Sequence, residues 1–337
     1  MSGRRRKQLI AFAIIVVGAL FLSGFVTGEI GARLSAKFGR EGATGVLPQP
    51  EVHLPPQPLF PAEAREQFHQ FELHETHPEE FEKEYPGVEP PSSPFQPMRF
   101  FVSNTMLSAW LTSAVILVVF LVAARRPSLV PRRLQNLCEM IIEALLNFVE
   151  GVAGKEWGRR LFPVVATIFL FVLLNAWMAL LPIYPSFVLH DQYGETDVLR
   201  SAATDMNMPL ALALVSFVFV EFYGFKALGF SYLGKFVRVR DILKGRPTGL
   251  IDAFVGVLEG FSEFIRILSF TFRLFGNMTA GEILVLVTTF LLSFVATVLV
   301  YGLEMLVGFV QALIFAGLTL VFATLALTPH SHEEQHS

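Results

Sequence analysis

The chain has 337 residues, of which 53% are hydrophobic and only 16% charged, with a mean hydropathy of +0.54. Soluble domains carry about 25% charged residues, so this is the composition of a membrane protein. A net charge of -3 offers nucleic acid no electrostatic purchase, and the single cysteine, Cys138, excludes an internal disulfide framework and a multi-cysteine metal site.

Arg4, Arg5, Arg6 and Lys7 precede an apolar run over residues 9–26. This run is longer than the usual h-region of a secretory signal, about 7–15 residues, which favours a retained anchor at 1–28 over a cleaved signal peptide. Residues 29–98 hold twelve prolines and twelve glutamates, with His53, His69, His74 and His77 among them. The histidine spacings match no tight ligand pattern, so a solvated, partly extended segment with a short helix around 62–73 is expected. The remainder, 99–337, is the membrane domain.

Within it, residues 100–124 form an apolar run that stops at Arg125, Arg126 and Pro127. Over 130–151, Leu134, Leu137, Ile141, Leu145 and Phe148 recur at helical spacing, while Gln135, Glu139, Glu143 and Asn147 take other faces; an amphipathic interfacial helix is expected. Further spanning runs cover 161–182, broken only by Asn175, and 208–225, with Glu221 near its end. From 250 to 327 the chain is almost continuously apolar and long enough for a hairpin of two long helices. The expected fold is therefore an all-α polytopic membrane protein. It has five core helices including one amphipathic helix and a long C-terminal helical hairpin, plus an extra N-terminal anchor helix.

Lys and Arg near membrane ends favour the cytoplasm. The segments 4–7, 125–133 and 226–246 are basic, whereas 29–98 and 183–207 are acidic or mixed. Every crossing then alternates, with both termini cytoplasmic and 29–98 extracytoplasmic.

A charge at mid-bilayer costs about 2.5–3.5 kcal/mol even on the mildest scale. Arg273 lies well inside its apolar run, too far from either end for snorkelling to be the simpler account. Glu282 and Glu304 raise the same question, with a structural pairing as the alternative to function. In an antiparallel helix pair, residues at one depth share a constant sum of positions. Arg273 with Gln311 and Glu282 with Glu304 have nearly the same sum, so one turn near residue 292 sets both pairs level. Glu282 falls about 13.5 Å beyond Arg273 on the opposite side of its helix. Two polar stations at two depths suit a path better than a single pocket.

The segment RLFGNMTAGE (273–282) resembles the signature of subunit a of F-type ATP synthases. LVGFVQALIFAGLTLVF (306–322), NAWMALLP (175–182) and DMNMPLALAL (205–214) are similar to three further blocks of that family, in the same order. The resemblance runs from about Phe100 to the C-terminus. It implies a proton-translocating stator subunit in the bacterial inner membrane, coupling ion flow to rotation of a ring of c subunits and held by a b-subunit stalk with the other ATP synthase subunits. It implies that Arg273 is the essential arginine facing the ring carboxylate, with Asn277 and Gln311 as polar neighbours. Glu282 and Glu304 match titratable positions of the outer half-channel, and some relatives carry histidine where Glu304 stands. Glu259, Ser262 and Ser269 match the inner half-channel, and Arg266 stands where some members have lysine. Ala179 departs from the Gly or Asp often found there, and residues 1–98 lie outside the common core.

A guanidinium keeps its charge at any accessible pH, so the resemblance implies a ring carboxylate that gives up its proton beside Arg273 and takes another beyond it. No G-x-x-x-x-G-K-[ST] segment occurs, so no cofactor is expected and nucleotide chemistry belongs to partner subunits. A secondary transporter or ion channel calls for repeated halves or broken helices, and no internal repeat is visible. A purely structural assembly protein leaves Arg273, Glu282 and Glu304 without a reason to lie in lipid.

Overall fold

A computed structural model describes residues 56–94, 100–125, 133–191, 194–229, 249–292 and 295–327, with Val16, Ala19 and Tyr232 besides. Apart from Val16 and Ala19, the anchor expected at 9–26 lies outside the described residues, as do 126–132 and most of the basic loop 226–248. Seven α-helices are found among the described residues, and five are long and apolar enough to cross a membrane. Strand is confined to two small ribbons. This is the all-α polytopic architecture expected.

The helix expected around 62–73 is present and runs further, as α1 (Ala62–Thr76), followed at once by α2 (Pro78–Glu84) with proline at its start, where a missing N–H costs nothing. The two fold over buried Phe68 and Phe81. His74 meets the Phe81 ring edge-on at 5.2 Å, and His69 Nε2 lies 3.7 Å from Glu84 Oε1. Strand β1 (Pro58–Phe60) pairs antiparallel with β2 (Val102–Ser103), so the pairing bridges residue 98, where the composition changes. The Gln57 and Asn104 backbones are tied as well, with Asn104 N–H donating to Gln57 O at 3.1 Å and Gln57 N–H to Asn104 Oδ1 at 3.3 Å.

Helix α3 (Asn104–Ala124) starts at an N-cap, Ser103, whose Oγ accepts from the Met106 N–H at 3.2 Å. Asn104, Ser108 and Thr112 recur every four residues and are buried with Thr105, whereas Trp110, Leu117, Val118 and Leu121 face outward. That inverts the soluble pattern, because lipid accepts the apolar side chains and the protein must satisfy the polar ones.

Helix α4 (Arg133–Ala179) is broken at Gly154, whose φ of 75° is open to glycine at little cost. The two limbs correspond to the separate interfacial and spanning helices expected. Arg159 Nε donates to Glu150 Oε1 at 3.0 Å across the break, and a Cβ at Gly158 would come within 3.0 Å of Glu150 Cα, so the limbs approach closely there. The expected apolar stripe of the first limb is only partly a packing stripe. The buried positions are Cys138, Leu145 and Val149, while Leu134, Leu137 and Phe148 are exposed. Periodicity marks an apolar face, but in a membrane such a face need not meet protein.

Between α4 and the next helix lies a ribbon that the sequence reading did not foresee, β3 (Val188–Asp191) with β4 (Gly194–Asp197). After it the chain is pinned by buried hydrogen bonds. Asn104 Nδ2 donates to Asp197 O at 3.2 Å, Arg200 N–H to Ser108 Oγ at 3.1 Å, and Ala202 N–H to Asn175 Oδ1 at 3.3 Å. Asp205 accepts from the Thr105 hydroxyl at 2.9 Å and from Asn207 N and Nδ2 at 3.0 Å each, at the start of α5 (Asn207–Leu228). Removing these acceptors strands buried donors at about 1–3 kcal/mol each. Asp205→Ala is expected to lower the thermal midpoint of the detergent-purified protein; an unchanged midpoint would show that these bonds are replaced by water.

The hairpin is α6 (Gly249–Leu292) and α7 (Val295–Leu327); residues 293 and 294 lie outside the described residues, and the two helix ends fall beside the turn expected near residue 292. Contacts divide the described chain into two compact units, the hairpin end at 276–308 and a larger one made of 56–275 with the residues from 309 onward. In the larger unit Phe270 meets Phe315 with ring centroids 4.9 Å apart, and Ser216 of α5 shares a 2.7 Å hydrogen bond with Thr319 of α7. Buried Ala312, Ala316 and Ala323 on α7 allow the close helix approach that membrane packing requires.

Candidate functional site

In the larger unit, Arg273 is half-buried on α6. Its Nη2 donates to Ser269 Oγ at 3.2 Å, and the guanidinium carbon stands 5.8 Å from the centre of the Phe270 ring. Among the described residues Arg273 forms no ion pair. Positions 259, 262, 266, 269 and 273 alternate by three and four, which places Glu259, Ser262, Arg266, Ser269 and Arg273 on one face of the helix. Ser262 and Ser269 are exposed and Glu259 is half-buried. Gln311 is buried on α7. The Phe270–Phe315 contact holds the register close to the one expected, which puts Arg273 and Gln311 at similar depth.

Arg266 is different. Its Nη2 is in contact with Glu263 Oε2 and lies 3.8 Å from Glu221 Oε1 on α5, and the guanidinium sits over Phe322 of α7 at 4.5 Å. Neither acidic partner was singled out from the sequence as a companion of Arg266. Glu263 at three residues' distance was open to that reading; Glu221 on another helix was not. Asn175, the polar break in its apolar run, accepts from the Ala202 N–H and so holds the chain at 202.

In the hairpin end, Asn277 is exposed and both Glu282 and Glu304 are half-buried. A Cβ built at Gly281 would overlap the Glu304 carboxyl group, with Oε2 the nearest atom and Cδ at 2.5 Å. The Glu304 carboxyl thus lies across Gly281, the neighbour of Glu282, and the expected level holds to within a residue. Gly281 was missed in the sequence. Its signal was there, since a glycine inside a helix costs about 1 kcal/mol relative to alanine unless something approaches closely. Gly281→Val is expected to push the Glu304 carboxyl aside and slow proton flux through vesicles holding the assembled complex several-fold; flux at the wild-type rate would show that the carboxyl has room elsewhere.

A permanent cation deep in an apolar helix, without an ion pair among the described residues, and two carboxylates in the same helical hairpin are the features to be matched. The model of the family described as ATP synthase A chain matches residues 106–324, well over half of the chain. The chain belongs to the ATP synthase A chain family. ATP synthase subunit a of Helicobacter acinonychis (strain Sheeba) is 30% identical over 244 residues, which cover 71% of this chain and 98% of that one. As a member of the ATP synthase A chain family, the protein is the proton-channel stator subunit of an F-type ATP synthase, a multi-pass membrane component of that complex. The transporter and structural alternatives are not favoured. The family match begins in the first turn of α3, so β1, α1, α2 and β2 lie ahead of it.

Proposed function

We propose that Arg273 faces a carboxylate on a ring of c subunits, with Asn277 and Gln311 as its polar neighbours. Glu282 and Glu304 carry protons along the outer half-channel, and Glu259, Ser262 and Ser269 line the inner one. A b-subunit stalk completes the stator. The chain lies in the bacterial inner membrane with both termini cytoplasmic, 1–28 as an anchor or signal segment and 29–98 on the outer side of the membrane domain.

The observation that carries this reading is the state of Arg273. Two arginines share one face of α6, and only Arg266 is ion-paired among the described residues. An arginine in an apolar helix with no carboxylate paired to it among the described residues is suited to receive one from a partner. Burial in lipid favours a neutral ring carboxyl, and the guanidinium favours the charged form. Release beside Arg273 and uptake beyond it then drive the ring one step, while the same charge repels a proton from leaking straight through. Each charge crossing gains about 2.3 kcal/mol per 100 mV, so several are needed for each ATP.

The test is ATP-driven acidification of vesicles containing the purified complex. Modifying the ring carboxylates with a hydrophobic carbodiimide is expected to stop it, and acidification that persists would sink the reading. Orientation is tested separately. A cysteine placed within 55–90 should react with an impermeant maleimide from outside the cytoplasm, against a quiet background because Cys138 is buried. Labelling from the cytoplasmic side alone would invert both half-channels.

A further inference from the structure

We propose that Glu221 and Glu263 neutralise Arg266 and hold it off the inner half of the proton path, leaving Arg273 as the bare guanidinium on that face of α6. The inference deepens the proposed function and rests on it.

Arg266 and Arg273 are seven residues apart, which on an α-helix is a turn of about 20° and a rise of about 10.5 Å. A second bare guanidinium at that position would stand on the stripe of Glu259, Ser262 and Ser269. At an effective dielectric near 20 it would disfavour a proton there by about tenfold. The packing of Arg266 removes that obstacle. Its Nη2 is drawn to Glu263 on its own helix and towards Glu221 on α5, and its planar group is covered by Phe322 of α7 at 4.5 Å and by Phe217 of α5 at 5.8 Å. The three charged side chains are only 12–21% exposed. With both carboxyl groups packed against it, the guanidinium leaves no uncompensated positive charge in the region.

Tyr232 completes the arrangement. It is buried against Gly224, where a Cβ would come within 2.6 Å of its ring. Burial, then the negative charge of Glu221, pushes the phenol up, so it stays neutral and adds no charge to the group. Lys226 does not join the group; its ammonium lies over the Phe222 and Tyr223 rings at 5.9 and 5.8 Å. Stability is a weak reason for such a cluster, because well-packed apolar residues of similar volume usually serve as well as a buried ion group. An electrostatic task accounts for it better.

The experiment measures proton flux through vesicles carrying the whole complex, with assembly checked by co-purification. Glu221→Gln with Glu263→Gln exposes the charge of Arg266 and is expected to lower flux about tenfold. Adding Arg266→Met removes that charge and is expected to restore most of the flux. If the double variant does not assemble, Glu263→Gln with and without Arg266→Met replaces it, because it removes the closer pair. Flux at the wild-type level in the carboxylate variants overturns the inference, as does a failure of Arg266→Met to restore it, which would mark the cluster as a pin between α5 and α6. Failure of the underlying reading is distinct, since it would appear as wild-type ATP-driven pumping in Arg273→Ala.

Discussion

Arg273→Ala is expected to abolish ATP-driven proton pumping while the complex still assembles with its full set of subunits. The side chain makes one hydrogen bond to Ser269 Oγ and, among the described residues, no ion pair, so its removal breaks little within the chain. On the proposed function, what is lost is the partner for a ring carboxylate that must become charged in lipid. On the mildest scale an unrelieved charge at mid-bilayer costs about 2.5–3.5 kcal/mol, which corresponds to a loss of about a hundredfold or more in the rate of that step. Arg273→Lys is expected to fail as well, because a compact ammonium lacks the planar fork and can lose its proton in an apolar site. Fluorescence quenching in inverted vesicles measures pumping, and co-purification measures assembly. Pumping at the wild-type rate in either variant would remove Arg273 from the mechanism.

Replacement of Glu304 is the second large effect expected. The carboxyl group lies across Gly281, one residue from Glu282 on α6. Two carboxyl groups at nearly one level suit a relay, since each can donate a proton to water and accept one from it. Glu304→Gln removes the exchangeable proton at one station and is expected to slow delivery on the order of a hundredfold, with assembly intact. Glu304→His is expected to keep part of the rate, because an imidazole also exchanges a proton near neutral pH. Geometry is tested by cysteine pairs. A 282/304 pair should crosslink, which needs Cα atoms within about 7 Å, whereas a 289/304 pair, with 289 about 12 Å further along α6 than 281, should not. Crosslinking at 289/304 alone would mean that the register is wrong, and the relay would fall with it.

Much of the membrane architecture was legible in the chain itself. Lipid offers no hydrogen bonds to a backbone, so each crossing must be a continuous helix of about 20 apolar residues, and such runs stand out without any tertiary knowledge. The same hostility to charge made Arg273, Glu282 and Glu304 conspicuous. The hairpin register followed from helix geometry alone, because one turn between two rigid helices leaves a single number to choose, and the helix ends at Leu292 and Val295 and the contact of Glu304 with Gly281 agree with it.

The tertiary structure decided the contacts that join distant segments, since these have no period to read. Nothing local in Glu221 points to Arg266, and nothing in Asn175 announces that it will accept the Ala202 N–H. Leu134, Leu137 and Phe148 share an apolar pattern with Leu145, yet only Leu145 is buried by the chain, because lipid or a partner can take the others. Gly281 reads as a helix flaw until the Glu304 carboxyl is placed across it. A sequence by itself determines which residues cannot face lipid cheaply; only the packing decides which of them, like Arg266, find a partner within the chain.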